Sequence, residues 1–219
     1  MLKRWQKDLF YKISSPLMKM NSFKHKYINN NKSDLKKIHL GPGKKNYIEG
    51  WINIDANMFS GKCDMWLDLR FPLPFKESSI NHCYSHHMIE HLPDIKKHLL
   101  DIFKILKPGG VYRIGGPNGD SAIKKFMEND NEWFNTNLDN RQSIGGKLES
   151  FIFCRQEHLT ILTFSYLEEL LSEIGFMKIK KLLPKIETSY PEVFGDCLKY
   201  ERETDFNTPH TLIVECQKP

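Results

Sequence analysis

A short apolar segment of the chain runs into a Gly-x-Gly turn, and a second apolar segment follows and ends in a carboxylate. The turn is Gly41-Pro42-Gly43, after Ile38-His39-Leu40, and the carboxylate is Asp55, after Trp51-Ile52-Asn53-Ile54. Glycines let the backbone approach a ligand closely, and an acid at the tip of the next strand can accept hydrogen bonds from both ribose hydroxyls. The pattern predicts an α/β fold that holds an adenosine cofactor on these two turns.

The residues after the turn narrow the choice of cofactor. A dinucleotide fold places a third glycine three residues on, where a helix N-terminus receives the pyrophosphate. Here Lys44-Lys45-Asn46 follows Gly43, and the next strand begins soon after Gly50. S-adenosylmethionine carries no phosphate, so the turn and Asp55 suffice for it. The sequence favours a methyltransferase over a nicotinamide-dependent oxidoreductase.

The length and charge of the chain predict one domain with a basic arm. At 219 residues and 40% hydrophobic content, one α/β domain over 35–219 can bury a substantial core. The segment up to Lys37 holds ten basic and two acidic residues, a local charge of about +8, whereas the remainder is slightly acidic. A whole-protein role in nucleic-acid binding is therefore disfavoured.

The arm, residues 1–34, has apolar residues at spacings compatible with an amphipathic helix that Pro16 interrupts. We expect it to be solvated and to pack one side on the domain or fray; contact with an anionic membrane surface or an acidic partner is the alternative. No apolar run is long enough to span a membrane, and no signal-peptide core is visible. Five scattered cysteines predict reduced thiols, and we expect a soluble cytoplasmic protein.

Strands and helices alternate after the arm, as in a doubly wound sheet. Apolar spacing and Lys107-Pro108-Gly109-Gly110 predict a helix over 94–106, and Ser165 with Glu168 predicts a capped helix that ends at Gly175. The predicted strands are 35–40, 51–54, 63–66, 80–84, 111–114, 176–183 and 211–216, the last two forming a hairpin-like pair. The polar, glycine-punctuated stretch 117–163, with one helix around 121–128, is predicted to be a substrate lid over the crevice.

Six motifs in order resemble the class I S-adenosylmethionine-dependent methyltransferases, and most closely the small type-11-like group associated with bacterial surface-polysaccharide biosynthesis. The resemblance spans about residue 35 to the C-terminus and implies a Rossmann-like, mainly parallel sheet with an antiparallel terminal strand. The motifs are Leu40-Gly41-Pro42-Gly43, Gly50-Trp51-Ile52-Asn53-Ile54-Asp55, Asp68-Leu69 with Leu73-Pro74-Phe75, His87-Met88-Ile89-Glu90-His91-Leu92, Leu106-Lys107-Pro108-Gly109-Gly110 and Leu170-Leu171-Ser172-Glu173-Ile174-Gly175-Phe176.

The resemblance assigns cofactor-binding roles along these motifs. Gly41 and Gly43 would face the methionine moiety and Asp55 the ribose, while Asp68 and Leu69 would border the adenine. Pro42 in the turn and Ser85, directly after the fourth strand, complete the cofactor candidates. A turn carboxylate ahead of Arg70 is the alternative for Asp68. The family often has a carboxylate or asparagine where His39 stands, and we interpret His39 as a strand residue.

The segment His87-Met88-Ile89-Glu90-His91 also matches the His-x-x-Glu-His pattern of inverted zinc peptidases, which requires a continuous helix. Pro93 follows at once, so this segment is predicted to lie on a bend between a strand and a helix. Glu149, Glu157 and His158 are candidate third ligands by distance alone. We therefore predict no metal.

Methyl transfer from a sulfonium needs an aligned nucleophile and a group that takes its proton. For an oxygen nucleophile a neutral histidine is the natural base. His91, at the carboxyl edge of the sheet, and His158, on the predicted lid, are the candidates, with weaker claims for His86 and His87. Arg113, Arg141 and Arg155 are candidates for recognising a phosphate or carboxylate on the acceptor, and a surface salt bridge is the equal alternative for each.

The leading hypothesis is an O-methyltransferase that acts on a saccharide, nucleotide-sugar or small phosphorylated acceptor in capsule or lipopolysaccharide-type glycan assembly, without a metal. A noncatalytic subunit of the same fold, docking through the basic arm, is the alternative from another class, because a fold alone does not prove turnover. A nicotinamide-dependent oxidoreductase is the third hypothesis.

Overall fold

A seven-stranded sheet forms the centre of the protein. The computed structural model describes residues 4–28, 36–57, 61–134 and 140–219. The strand order is β3-β2-β1-β4-β5-β7-β6. The strands are β1 Lys37–Leu40, β2 Ile52–Asp55, β3 Met65–Trp66, β4 Ile80–His86, β5 Leu106–Pro117, β6 Met177–Leu182 and β7 Thr211–Gln217.

The sheet is parallel from β3 to β5 and antiparallel where β7 joins β5 and β6. This arrangement confirms the predicted Rossmann-like fold, including the terminal antiparallel pair. The chain continues from β1 to β2 on one side, whereas β4 lies on the other side of β1. Strand order therefore reverses at β1, and the carboxyl ends of β1 and β4 open the crevice in which such sheets bind ligands.

The helices are α1 Arg4–Ile28, α2 Ile95–Ile105, α3 Gly119–Met127, α4 Ile144–Phe153, α5 Phe164–Ile174 and α6 Pro191–Phe194. The Asp94 side chain accepts a hydrogen bond from Lys97 N and begins α2 as predicted. At α5 the prediction is wrong by two residues, because Thr163, not Ser165, accepts from the backbone and caps the helix. Gly175 ends α5 with φ of 105°, which a glycine adopts without strain.

The core lies between the sheet and the helices α2 and α5. Its members are apolar residues of the central strands, such as Ile38, Leu40 and Ile80, packed against Leu99 and Leu171 from those helices. Continuous apolar strands are expected where a parallel sheet is covered on its faces. This core fixes the ends of β1, β2 and β4, from which the candidate site is built.

The arm differs from the expectation, because α1 continues through Pro16. Proline has no N–H to donate to the carbonyl of Lys12 and usually kinks a helix. The face of α1 that packs on the domain is largely polar. Ser15 donates to Asp68 Oδ2 at 2.8 Å and Asn21 donates to the Trp66 carbonyl at 2.9 Å, beside the buried Met18.

The opposite face of α1 exposes large apolar side chains, namely Leu9, Ile13, Leu17, Met20 and Phe23. The arm is therefore an ordered helix whose docking is polar and whose outer face is apolar. In the part of the chain that the structure describes, no helix combines the length and the apolar composition needed to cross a membrane.

The predicted lid region contains two helices rather than one. Asn118 caps α3, close to the predicted position, but α4 was not predicted, because Gly145-Gly146 indicates a break in a helix. Ser143 caps α4, whose Ile144, Leu148 and Phe151 pack with Trp133 and Phe134 into a small core. Residues 135–139 of the predicted lid lie outside the described residues.

Candidate active site

The glycine turn and Asp55 meet at the carboxyl ends of β1 and β2, as predicted. Gly41 and Gly43 have φ of 72° and 57°, and a side chain at Gly41 would place its Cβ 2.7 Å from Met88 Cγ. Gly43 N donates to Asp55 Oδ2 at 2.8 Å. Apart from its two neighbours in the chain, no described residue has an atom within 4 Å of where a Cβ of Gly43 would stand. The turn thus offers bare backbone to a ligand beside a carboxylate.

No helix follows the turn within residues 41–51, so the pyrophosphate seat of a dinucleotide fold is lacking in this described segment. A carboxylate with remaining acceptor capacity next to open glycine backbone fits the ribose and methionine parts of S-adenosylmethionine. The geometry agrees with the preference drawn from the sequence.

The turn opens into a cleft of about 440 Å³. The cleft is lined by Gly41, Pro42, Gly43, Lys44, Lys45, Asn46, His86, His87, Tyr200, Arg202 and Thr211. Three of these side chains are cationic and none is a carboxylate. Sequence reasoning missed Tyr200, Arg202 and Thr211, because they come from the C-terminal part of the chain and no local motif marks them.

Asp68, predicted to border the adenine, is nearly buried and already bonded. Its carboxylate accepts from Ser15 and from the backbone and guanidinium of Arg70. Burial opposes ionisation, but the hydrogen bonds from Arg70 and Ser15 lower the pKa of Asp68 below its ordinary value. Asp68 faces a separate cavity of about 240 Å³ between α1 and residues 67–73. The alternative interpretation of Asp68 from the sequence, a carboxylate in a turn ahead of Arg70, describes its contact with Arg70.

The arm also brings Tyr11 to this end of the site. Arg70 lies over the Tyr11 ring, with its Cζ 4.0 Å from the ring centroid. Burial, and then the charge of Asp68, raise the pKa of Tyr11, and Asp55 adds to this effect. The arm therefore closes the side of the site that holds both carboxylates, which the sequence did not indicate.

Leu69 and Ser85 do not extend the cleft. Leu69 is half-buried and packs against the main core. Ser85 is fully buried, and its hydroxyl pairs with the Tyr112 hydroxyl at 2.8 Å. The Ser85 side chain belongs to the protein interior, so the structure gives no support to its predicted contact with the cofactor.

His39 is a buried residue of β1, as interpreted from the sequence. Its Nδ1 lies 3.0 Å from Asn53 Oδ1. Burial lowers the pKa of His39 to about 4, against a smaller opposing effect of Asn53. The imidazole is therefore neutral and structural.

Three of the candidate bases surround one carboxylate, that of Glu90. Residues 89–91 form a single 3₁₀ turn instead of a continuous helix, and His87 before it has φ of 52°, so the predicted bend is confirmed. His87 Nδ1, His158 Nε2 and His91 Nε2 lie 3.3, 3.9 and 4.0 Å from Glu90 Oε1. Burial opposes ionisation of Glu90, but the contact and charge of His87, with the charge of His91, lower its pKa below the ordinary value.

The histidines differ in their surroundings. His87 lines the cleft with the glycine turn, and its Nε2 lies 3.4 Å from Thr211 Oγ1. His91 and His158 face each other, with ring centroids 4.8 Å apart. Burial lowers the pKa of His158 below its ordinary value, although Glu90 opposes this shift. Of the three candidate bases around Glu90, His87 is therefore the one that lies in the wall of the cleft beside the predicted cofactor position.

Arg113 is wrongly predicted as a residue that recognises the acceptor. It is fully buried and donates to Glu201 at 2.7 Å and to Glu215 at 2.6 Å. Burial alone would lower the pKa of Arg113, but the two carboxylates raise it. Arg113 joins β5 and β7 to the loop at residue 201. Arg141 and Arg155 are exposed.

Comparisons with known proteins agree with this geometry. The profile of a family described as a methyltransferase domain matches residues 66–114. A search of curated proteins gave no match.

Solved structures share the fold over nearly the whole chain. An S-adenosylmethionine-dependent methyltransferase from Archaeoglobus fulgidus superposes with a TM-score of 0.55 at 14% identity, covering 98% of this chain and 99% of that one. A possible histamine N-methyltransferase from Thermotoga maritima gives 0.52 at 13% identity, with coverage of 98% and 96%. Phosphoethanolamine N-methyltransferase 2 from Haemonchus contortus gives 0.51 at 14% identity, over 97% of this chain and 60% of that one.

The fold is that of the Rossmann-like methyltransferases. Together with the family match, the glycine turn and Asp55, it supports an S-adenosylmethionine-dependent methyltransferase with S-adenosylmethionine as cofactor.

Proposed function

We propose that the protein is an O-methyltransferase for an anionic acceptor: a saccharide, nucleotide-sugar or small phosphorylated compound in capsule or lipopolysaccharide-type glycan assembly. The observation that carries the proposal is the charge of the cleft. Lys44, Lys45 and Arg202 line it without a carboxylate. The single carboxylate of the cofactor offsets one of these charges, and the remainder attract an anionic acceptor. The assignment to glycan assembly rests on the motif resemblance.

A structure with the same fold gives a precedent for a phosphorylated small molecule. The complex of the Haemonchus contortus phosphoethanolamine N-methyltransferase 2 contains phosphomonomethylethanolamine together with S-adenosylhomocysteine. In that complex a protein of this fold holds both molecules at once, and the charge of the cleft supports a phosphorylated acceptor here.

His87 is the base that the geometry favours among the three candidates around Glu90. Its Nδ1 faces Glu90, and a carboxylate at this position holds the proton on Nδ1, which leaves the Nε2 lone pair for the acceptor. Nε2 lies on the cleft side of the ring, where its neighbour is Thr211 Oγ1 at 3.4 Å. S-adenosylmethionine brings the methyl group on a sulfonium, so the transfer itself requires no metal.

In the proposed mechanism the cleft holds the acceptor hydroxyl in line with the methyl group. His87 Nε2 takes the hydroxyl proton while the new O–C bond forms and the C–S bond breaks, and the electron pair stays on sulfur. Glu90 stabilises the imidazolium that results. Lys44, Lys45 and Arg202 bind the anionic part of the acceptor, which fixes its orientation.

The first experiment is a calorimetric titration with S-adenosylhomocysteine, with NAD as a parallel control. We expect micromolar binding, about −8 kcal/mol, and no response to NAD. Asp55→Ala removes the acceptor of two ribose hydrogen bonds, each worth about 1.5–3 kcal/mol to a charged group, and should weaken binding at least ~100-fold. Asp101→Ala on α2 is the matched control. Unchanged affinity of Asp55→Ala would remove Asp55 from the site.

The acceptor class is tested by a screen of sugar phosphates and nucleotide-sugars against their neutral sugars. We expect methylation of the anionic members only. Arg202→Gln should raise KM for the acceptor without changing cofactor affinity, and Lys180→Gln on β6 should change neither. Faster methylation of neutral sugars would contradict the proposal.

The arm and the compartment complete the proposal. Three exposed lysines, Lys12, Lys19 and Lys24, lie beside the apolar face of α1. An apolar face flanked by lysines suits an anionic membrane surface. We propose that α1 docks the protein there. Cys83, Cys197 and Cys216 are buried thiols, which supports a cytoplasmic location because disulfides are rare in that compartment.

A further inference from the structure

We propose that Glu90, His91 and His158 form a binding site for a divalent transition-metal ion beside the cleft. A carboxylate oxygen of Glu90 and one ring nitrogen from each histidine lie within 4.8 Å of one another. The three residues come from two segments that backbone contacts hold together, because Leu159 N donates to the Glu90 carbonyl at 2.8 Å. Sequence distance alone leaves Glu149, Glu157 and His158 open as third ligands, and the structure brings His158 to the cluster.

The ring nitrogens that face the cluster are free to act as ligands. His91 Nδ1 lies 3.0 Å from the Glu157 carbonyl, and His158 Nδ1 lies 2.9 Å from the Ile152 carbonyl. A carbonyl oxygen only accepts, so both rings must carry a proton on Nδ1. In the neutral rings the Nε2 lone pairs therefore point toward Glu90. Carbonyl oxygens that accept from the outer ring N–H in this way orient histidines that bind metals.

The Glu90 carboxylate provides a second, independent observation. It is fully buried, and neither of its oxygens has a hydrogen bond of acceptable geometry with any residue that the structure describes. Its other neighbours include Gly116, where an added Cβ would lie 3.4 Å from Oε2 and 2.4 Å from Leu162 Cδ1. His87 Nδ1, 3.3 Å from Oε1, is near enough to attract the carboxylate but does not satisfy it as a hydrogen-bond donor. A buried carboxylate without a hydrogen-bond partner is costly, and an ion is one of the few groups that offset this cost.

The donor set selects the class of ion. Two imidazoles and one carboxylate suit zinc, cobalt or ferrous iron, whereas magnesium and calcium prefer all-oxygen sites. Ligand atoms around a tetrahedral zinc ion are about 3.3 Å apart. The two histidine nitrogens lie 4.0 and 3.9 Å from Glu90 Oε1, so small side-chain rotations suffice.

Three protein ligands leave a coordination position open, as in catalytic metal sites. Glu90 also faces His87, which lines the cleft. On the proposed function, a bound ion would hold a hydroxyl or phosphate oxygen of the acceptor at this position and would make a bound hydroxyl easier to deprotonate. The methyl transfer remains the same displacement.

The test uses the full chain freed of metal. Zinc is titrated calorimetrically, and cobalt is followed by its visible absorption, which reports coordination number. We expect one ion per chain with micromolar or tighter affinity, and a four- or five-coordinate cobalt spectrum. Glu90→Gln, His91→Asn and His158→Asn should each weaken binding at least ~100-fold, whereas His25→Asn on α1 should not. Circular dichroism and S-adenosylhomocysteine binding of each variant show that it is folded.

Two results would overturn the inference. One is the absence of 1:1 binding to a protein that binds S-adenosylhomocysteine, which would leave the methyltransferase proposal intact. The other is binding that His91→Asn and His158→Asn leave unchanged, which would show an adventitious ion on surface histidines. Because Glu90→Gln can fail to fold, the two histidine variants decide the outcome.

Discussion

Replacement of Arg113 by methionine tests whether its buried ion pairs hold the C-terminal part of the sheet. Arg113 makes three charge-assisted hydrogen bonds, at 2.7 and 2.7 Å to Glu201 and at 2.6 Å to Glu215. All three side chains are buried. Arg113→Met fills a similar volume but leaves two carboxylates buried without their cation.

The magnitude follows from what remains around the carboxylates. Breaking a buried pair by removing one partner costs about 3–5 kcal/mol. Glu201 keeps the Lys185 amide, and Glu215 keeps Thr188 and the Ser189 amide. We therefore expect the lower half of that range. For a chain of this size, a loss of about 3–5 kcal/mol lowers the melting temperature by about 6–20 °C.

Thermal and urea unfolding followed by circular dichroism measure this loss. Lys96→Met is the matched control, because Lys96 and Glu173 are also 2.6 Å apart but exposed. Solvent screens that pair, so we expect no measurable change in melting temperature. Adding Glu201→Gln and Glu215→Gln to Arg113→Met should restore most of the stability, because no buried charge is then left unpaired. A loss below about 1 kcal/mol for Arg113→Met would refute the reasoning.

Three further predictions concern the base, the arm and the response to acid. His87→Ala should lower kcat by about 10²–10⁴-fold, the usual contribution of a general base, at unchanged cofactor affinity; an unaltered kcat would exclude His87. Leu17→Glu should abolish sedimentation of the protein with anionic vesicles, whereas Leu100→Glu, exposed on α2, should not. If the unsubstituted protein does not sediment with the vesicles, or if α1 binds a protein instead, membrane docking is contradicted. Burial lowers the pKa of His39 and of His98 to about 4 in the folded protein, partly offset by hydrogen bonds to Asn53 and to the Leu69 backbone. In the unfolded chain these histidines take up protons near pH 6.5. The free energy of unfolding is therefore highest above that pH, and it falls by about 3 kcal/mol for each histidine as the pH drops toward 4. His98→Leu should flatten the melting temperature between pH 6.5 and 4, and an unchanged slope would show that His98 is not buried as a neutral ring.

Local sequence patterns predicted the frame of the site. The glycine turn, the strand that ends in Asp55 and the helix capped by Asp94 each depend on neighbouring residues, and the structure has all three. Their placement at one edge of the sheet follows from parallel strand order. The wall of the cleft formed by Tyr200 and Arg202 could not be predicted, because contacts between distant segments leave no periodic signal.

The errors have a common physical origin. Amphipathic spacing in the arm indicates which residues of α1 share a polar or an apolar face, but it does not indicate which face contacts the domain. Here the polar face contacts the domain, where Ser15 donates to Asp68. Arg113 looks like a surface cation until Glu201 and Glu215 are placed beside it. At α4 the packing of Phe151 on Trp133 outweighs the weak helix propensity of Gly145 and Gly146.

The His-x-x-Glu-His segment shows that a sequence motif can be interpreted only together with its backbone conformation. On a continuous helix the two histidines would stand one turn apart and face the same side. Here His87 has φ of 52° and precedes a single 3₁₀ turn, so its ring lines the cleft, whereas His91 meets His158. Glu90 contacts both groups. Glu90 Oε1 therefore lies between the base that lines the cleft and the two histidines of the proposed ion site. A Glu90 variant that no longer binds the ion but still orients His87 would separate these two roles.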